Sequence, residues 1–227
     1  MRLRHSAHRW LVPVFVGALL GGCAAPGRVA TTEPANLYPH KLALRAYVDS
    51  GDYQRGLARV AGSAQRWVEE RAAQRRPGER LAVVLDLDET LLFNWPSLSE
   101  NDFGYVPTRW TEWVDAAAAP AIDPVREVYR TARRLGVDVV YLTGRTERDR
   151  PATERNLRAI DCADYVELVC RPDAIKQLSA TFKTAERERL TRAGYTIIAN
   201  LGDQESDLVG GFAERTFKLP NPFYQTF

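Results

Sequence analysis

The chain has 227 residues, 45% of them hydrophobic and 26% charged, and carries a formal net charge of +2. That length holds one good core with room for a small accessory element, and neither a repeat nor a long low-complexity tract interrupts it. Residues 1–22 contain Arg2, Arg4 and Arg9 and no acid, so the remainder sets 28 basic residues against 29 acidic ones, a net charge of −1; nothing in that balance marks a polyanion-binding surface, and a nucleic acid polymer as partner is disfavoured.

In chain order, a basic start, MRLRHSAHRW, precedes the apolar run LVPVFVGALL and then GGC. Positive charge, a short hydrophobic core and small residues before a cut are the pattern of an export signal over 1–22. The run is too short to span a bilayer, and Pro13 weakens it further as a membrane helix. Residues 23–36 are small and polar and read as a tether. Two helices are predicted next, near 38–50 and 52–76, the second with Leu57, Val60, Ala64, Trp67 and Val68 at helical spacing. Together 37–76 form a helical accessory segment.

From residue 81 to 220 the pattern alternates between β and α. Strands are predicted at 81–88, 137–143, 164–170, 195–203 and 215–220, and helices at 124–136, 152–160 and 184–194. The strands are apolar runs, as in a parallel sheet covered on both faces. The expected fold is therefore a three-layer, Rossmann-like α/β architecture, whose ligands bind beyond the carboxyl ends of the strands. Cys162 and Cys170 flank the third strand. An extended run between them separates their sulfurs, so two unpaired buried thiols are expected.

The polar residues gather at those strand ends. The first strand runs into Asp86-Leu87-Asp88-Glu89-Thr90, and the second ends in Thr143-Gly144-Arg145. Lys183 directly precedes the helix after strand three, and the fourth strand ends in Gly202-Asp203 with Asp207 four residues on. Burying carboxylates together costs several kcal/mol unless positive charge balances them. Each motif alone is ordinary turn or cap chemistry; their shared placement on one rim points to a site.

The order D-x-D-x-T, Thr, Lys, G-D-x-x-x-D resembles the four-motif signature of the haloacid dehalogenase (HAD) superfamily. The stretches VVLDLDETLL, WTEWVDAAAAPAIDP, YLTGRTERDR, GDQESDLVG and FKLPNPFY resemble its acid phosphatase branch, which includes bacterial lipoprotein acid phosphatases and plant acid phosphatases with their vegetative storage relatives. The resemblance runs from about Leu37 to the C-terminus. It implies a phosphomonoester hydrolase in which Asp86 attacks phosphorus to form an aspartyl-phosphate and Asp88 exchanges protons with the leaving group and then with water. It further implies Mg²⁺ held by the Asp86 carboxylate, the Asp88 carbonyl and Asp203, with Asp207 nearby. Lys183 would add positive charge, and Thr143 and the Gly144 N–H would hold the phosphoryl oxygens. Lys176 competes with Lys183 for that role. Arg145 could reach the phosphate, with a capping or surface role equally open.

Trp95, Phe103, Tyr105, Trp110 and Trp113 lie between Thr90 and Asp123, a stretch too short for a separate cap domain. They are expected to form a short aromatic cap segment, with Trp95 nearest the substrate. LLGGC resembles the bacterial lipobox, in which Cys23 becomes the lipidated first residue. That implies a lipid-anchored protein of the cell envelope, facing the periplasm or on the outer membrane; an ordinary secretory cut nearby is the competing reading. The alternatives to the enzyme are a non-catalytic binding or storage protein, which would be expected to lose Asp86, and a dehalogenase, which needs no acid at Asp88.

Overall fold

The computed structural model describes residues 33–173 and 178–226; Cys23 and Lys176 lie outside them. All the elements lie within the unit Asn36–Phe227. Helix α1 (Leu37–Asp49) opens where the Asn36 side chain accepts a 2.8 Å hydrogen bond from the Tyr38 N–H. Helix α2 (Asp52–Ala73) buries Tyr53, Leu57, Ala61, Ala64 and Val68 along one face, the spacing that makes one stripe of a 3.6-residue period.

Strand β1 (Arg80–Leu85) forms the centre of a five-stranded, all-parallel sheet ordered β3-β2-β1-β4-β5. Its partners are β2 (Asp138–Thr146), β3 (Glu167–Arg171), β4 (Tyr195–Gly202) and β5 (Arg215–Lys218). Successive side chains of β1 take opposite faces. Leu81, Val83 and Leu85 join the core with α2, α5 (Asp123–Arg134) and α6 (Arg150–Ala159), while Val84 packs with Phe182 and Leu190 of α7 (Ser179–Arg192). These are the three predicted layers. Cys162 and Cys170 are both buried and free, as expected.

Several boundaries differ from the sequence reading, and three of them bear on the rim. The first strand ends at Leu85 rather than at 88, because the chain tightens into a turn: the N–H groups of Thr90, Leu91 and Leu92 all donate to the Leu87 carbonyl, and Glu89 adopts φ 53°. The second strand continues past Thr143 to Thr146, with its pairing to β3 irregular between Leu142 and Thr146. The helix after β3 starts at Ser179, so Lys183 sits one turn inside it and does not precede it. The aromatic segment carries two short helices, α3 (Trp95–Glu100) and α4 (Pro107–Ala116), each with proline in its first turn, where the missing N–H has no helical partner to lose.

Candidate active site

Register brings the rim together. Leu85 pairs with Tyr141 on one side and Leu201 on the other, and the Asp86 N–H extends the ladder with a 3.0 Å bond to the Leu201 carbonyl. Asp86 therefore emerges beside the ends of β2 and β4. Lys183 reaches across from α7, its Nζ donating to Asp86 Oδ1 and to Asp207 Oδ1, each at 2.6 Å. Asp203 completes the group: Asp86, Asp203 and Asp207 each offer a carboxylate oxygen, all within 4.8 Å of one another. Gly202 makes this possible. A Cβ there would meet Asp207 Cβ at 2.4 Å, so only glycine lets the Asp207 side chain lie against the strand end.

All three carboxylates are buried. Burial pushes the Asp86 carboxyl well above the usual range; Lys183 opposes the rise, while Asp207, Asp203 and Asp88 add to it. Asp203 is raised for the same reasons, burial first and then Asp207. Burial works against the charge of Lys183, but its two carboxylate partners outweigh it and hold the ammonium above lysine's ordinary pKa. One lysine faces three carboxylates, so a further cation among them relieves the repulsion. The donors are hard oxygens, the set that suits a divalent ion such as Mg²⁺. The far oxygen of Asp203 is already held by Gln204 Nε2 at 2.6 Å and Asn221 Nδ2 at 2.7 Å; among the described residues its Oδ1 accepts only from Thr90 Oγ1, at 3.2 Å.

A cleft of about 670 Å³ opens over this group. Asp86, Asp88, Gly144, Lys183, Asp203 and Asp207 line it. Thr143 does not: it is fully buried beneath, its Oγ1 accepting from the Arg145 N–H at 3.1 Å. Trp95 does not line the cleft either, contrary to the sequence reading. Its ring lies 5.3 Å from Phe223 and 5.8 Å from Phe103, in an aromatic cluster that anchors α3 to the core. The aromatic wall is made by Phe103, Tyr105 and Trp110.

Arg145 is the residue that sequence reasoning undervalued. It is buried, and its guanidinium grips Asp88 through Nη2 at 2.7 Å and through Nε at 3.1 and 3.2 Å, with Nη1 on Thr153. Its place directly after Thr143-Gly144 is the signal that could have found it. Glu89, fully buried, has its carboxyl pushed up to about 8 by burial and by the charges of Asp88 and Asp203. Arg187, one turn beyond Lys183, donates to the carbonyls of Asp207, Val209 and Gly211 and so fixes the short helix Glu205–Leu208, which carries Asp207, and the loop that follows it.

A strand-end aspartate, a second acid two residues on, a lysine and a G-D-x-x-x-D pair now stand around one cleft. Residues 25–227 match the family described as HAD superfamily, subfamily IIIB (acid phosphatase). The chain belongs to that family. Among its relatives, acid phosphatase 1 of Solanum lycopersicum is 37% identical over 146 residues, 62% of this chain and 57% of the relative. The stem 28 kDa glycoprotein of Glycine max is 36% identical over 148 residues, 62% of this chain and 58% of that one. The chain thus spans less than two thirds of the length of these curated relatives. In fold it is similar to the class C acid phosphatase from Bacillus anthracis, with a TM-score of 0.70 at 22% identity, covering 83% of this chain and 86% of that one. Among the described residues, no helix is long and apolar enough to cross a membrane.

Proposed function

We propose that the protein is a Mg²⁺-dependent phosphomonoesterase working through an aspartyl-phosphate, anchored to the cell envelope by lipid on Cys23. The observation that carries the catalytic reading is the Lys183 bridge between Asp86 and Asp207 at the floor of a cleft that Asp88 also lines. Lys183 occupies Asp86 Oδ1, which leaves Oδ2 for attack. That oxygen forms a bond to phosphorus while the ester P–O bond breaks, and the departing oxygen takes a proton from Asp88. Water then attacks the acyl phosphate and gives a proton to Asp88 as the Asp86–phosphorus bond breaks, releasing inorganic phosphate and restoring both carboxyl groups.

Each unit-charge repulsion between carboxylate and phosphate at about 4 Å costs about 4 kcal/mol at an effective dielectric of 20. Lys183 and Arg145 offset part of it. Asp86, Asp203, Asp207 and the Asp88 carbonyl would hold Mg²⁺, which supplies the remaining positive charge. The backbone N–H of Gly144, which lines the cleft, is assigned to the phosphoryl oxygens, while Thr143 beneath it supports the turn through its bond to the Arg145 N–H. The lipid anchor rests on the LLGGC sequence and the tether behind it.

The test is hydrolysis of an aryl phosphate. Wild type should turn over with Mg²⁺, lose turnover on chelation and regain it on adding the metal back. Asp86→Asn should fold and be inactive, because an amide forms no acyl phosphate. Undiminished turnover by that variant, checked for deamidation, would exclude the covalent route.

A further inference from the structure

We infer that Asn94, aimed by Trp113 and Glu89, is a positioning residue that acts with Arg145 to fix which oxygen of Asp88 exchanges the proton. This rests on the phosphatase reading, in which Asp88 is the acid. Asn94 is fully buried just after the motif turn, at the start of α3. Its Oδ1 accepts from the Trp113 indole N–H at 2.8 Å. Its Nδ2 donates to Asp88 Oδ1 at 3.0 Å and to Glu89 Oε2 at 3.3 Å, and its backbone N–H donates to Glu89 Oε1 at 2.9 Å. An indole N–H can only donate. The amide oxygen must therefore face Trp113 and the amide NH₂ must face the carboxyl groups, so the side chain has a single orientation. The Tyr224 hydroxyl, donating to Glu89, steadies the far end of the chain of bonds.

The consequence falls on Asp88. Its Oδ1 takes three contacts: Asn94 Nδ2, Arg145 Nη2 at 2.7 Å and Arg145 Nε at 3.2 Å. Among the described residues, its Oδ2 shares only the single Nε hydrogen, at 3.1 Å. Arg145 shares its Nε between both oxygens but places Nη2 on Oδ1 alone; the Asn94 amide adds a second neighbour on that same oxygen and deepens the asymmetry. Oδ1 is saturated, and Oδ2 keeps the lone pairs that can carry and deliver a proton. Asn94 touches neither phosphorus nor metal on this reading. It acts by holding the acid in line, and geometry of that kind is where small displacements cost large factors in rate. Trp113 belongs to α4, so the aromatic segment would reach the chemistry through this bond, beyond forming the cleft wall.

The experiment uses the leaving group. An alkyl phosphate needs its departing oxygen protonated, whereas 2,4-dinitrophenyl phosphate releases a stable anion unaided. kcat/KM reports the first phosphoryl transfer for both. Acid catalysis contributes about 10²–10⁴-fold, so Asn94→Ser should lower kcat/KM on the alkyl ester by roughly tenfold or more while changing the dinitrophenyl ester by less than about threefold. Trp113→Phe, which keeps an aromatic ring but removes the N–H and part of the indole's volume, should show the same asymmetry in smaller measure. Equal losses on both esters, in whichever of the two variants folds, would overturn the positioning role and leave a structural one. Wild type inert on both esters would instead strike the phosphatase reading, and the inference with it.

Discussion

At the scale of single residues, the site depends on close approaches that only particular side chains permit. Gly202 is one. Because a Cβ there would sit 2.4–2.5 Å from the Asp207 side chain, Gly202→Ala must push that carboxylate away from Lys183. Overpacking of this kind costs about 1–3 kcal/mol. The variant should melt earlier and need more Mg²⁺ for half-maximal activity. A Mg²⁺ titration by calorimetry reads the second effect without turnover, and an unchanged affinity would show that Asp207 is not held where the metal sits. Arg187 works the opposite way, by contact instead of by absence. It is a buried cation with no acid within salt-bridge distance among the described residues, satisfied by carbonyls, and it ties the short helix of Asp207 to the helix that carries Lys183.

At the scale of elements, the segment after β5 folds back as a strap over the motif residues. Phe223 packs against Tyr53, Trp95 and Phe103, Asn221 holds Asp203, and Thr226 donates its N–H to Gln204 Oε1. Asn221→Ala would leave the buried Asp203 oxygen short of one donor, at about 1–3 kcal/mol. Its expected signature is a lower Mg²⁺ affinity with the α/β core intact by circular dichroism; an affinity equal to wild type would make the strap a matter of packing alone. This tail shows what the sequence disclosed and what it did not. The order of strands and helices, the three layers and the convergence of Asp86, Lys183, Asp203 and Asp207 were legible, because apolar runs and strand-end polar motifs are local signals. The strap was not. FKLPNPFY served only as a mark of resemblance, since the bond from Asn221 to Asp203 is fixed by folding back and by no periodicity. Lys183 was chosen on a helix start that the structure moves to Ser179; its reach to Asp86 comes from its face of α7. Trp95 was assigned by closeness in sequence to the motif, yet burial against Phe223 takes it from the cleft.

At the scale of the whole molecule, the described unit begins at Asn36 and contains every residue assigned to the chemistry. A fragment starting there should fold and, with Mg²⁺, match the full chain in kcat and KM. If Cys23 carries acyl chains, the exported full-length protein should partition into detergent and Cys23→Ser should not, since each buried CH₂ contributes about 0.8 kcal/mol to membrane binding. Mass spectrometry of the mature N-terminus distinguishes a cut before Cys23 from an ordinary secretory cut. The two remaining thiols have a consequence of another kind. Cys162 and Cys170 are buried, and burial pushes both up to about 11. Only the thiolate reacts, so alkylating reagents meet almost none of it while the sheet is closed. The molecule thus carries its own clock: the rate at which an alkylating reagent marks Cys170 at the sheet edge, compared with Cys162 beyond α6, times how often each part of the core opens to water.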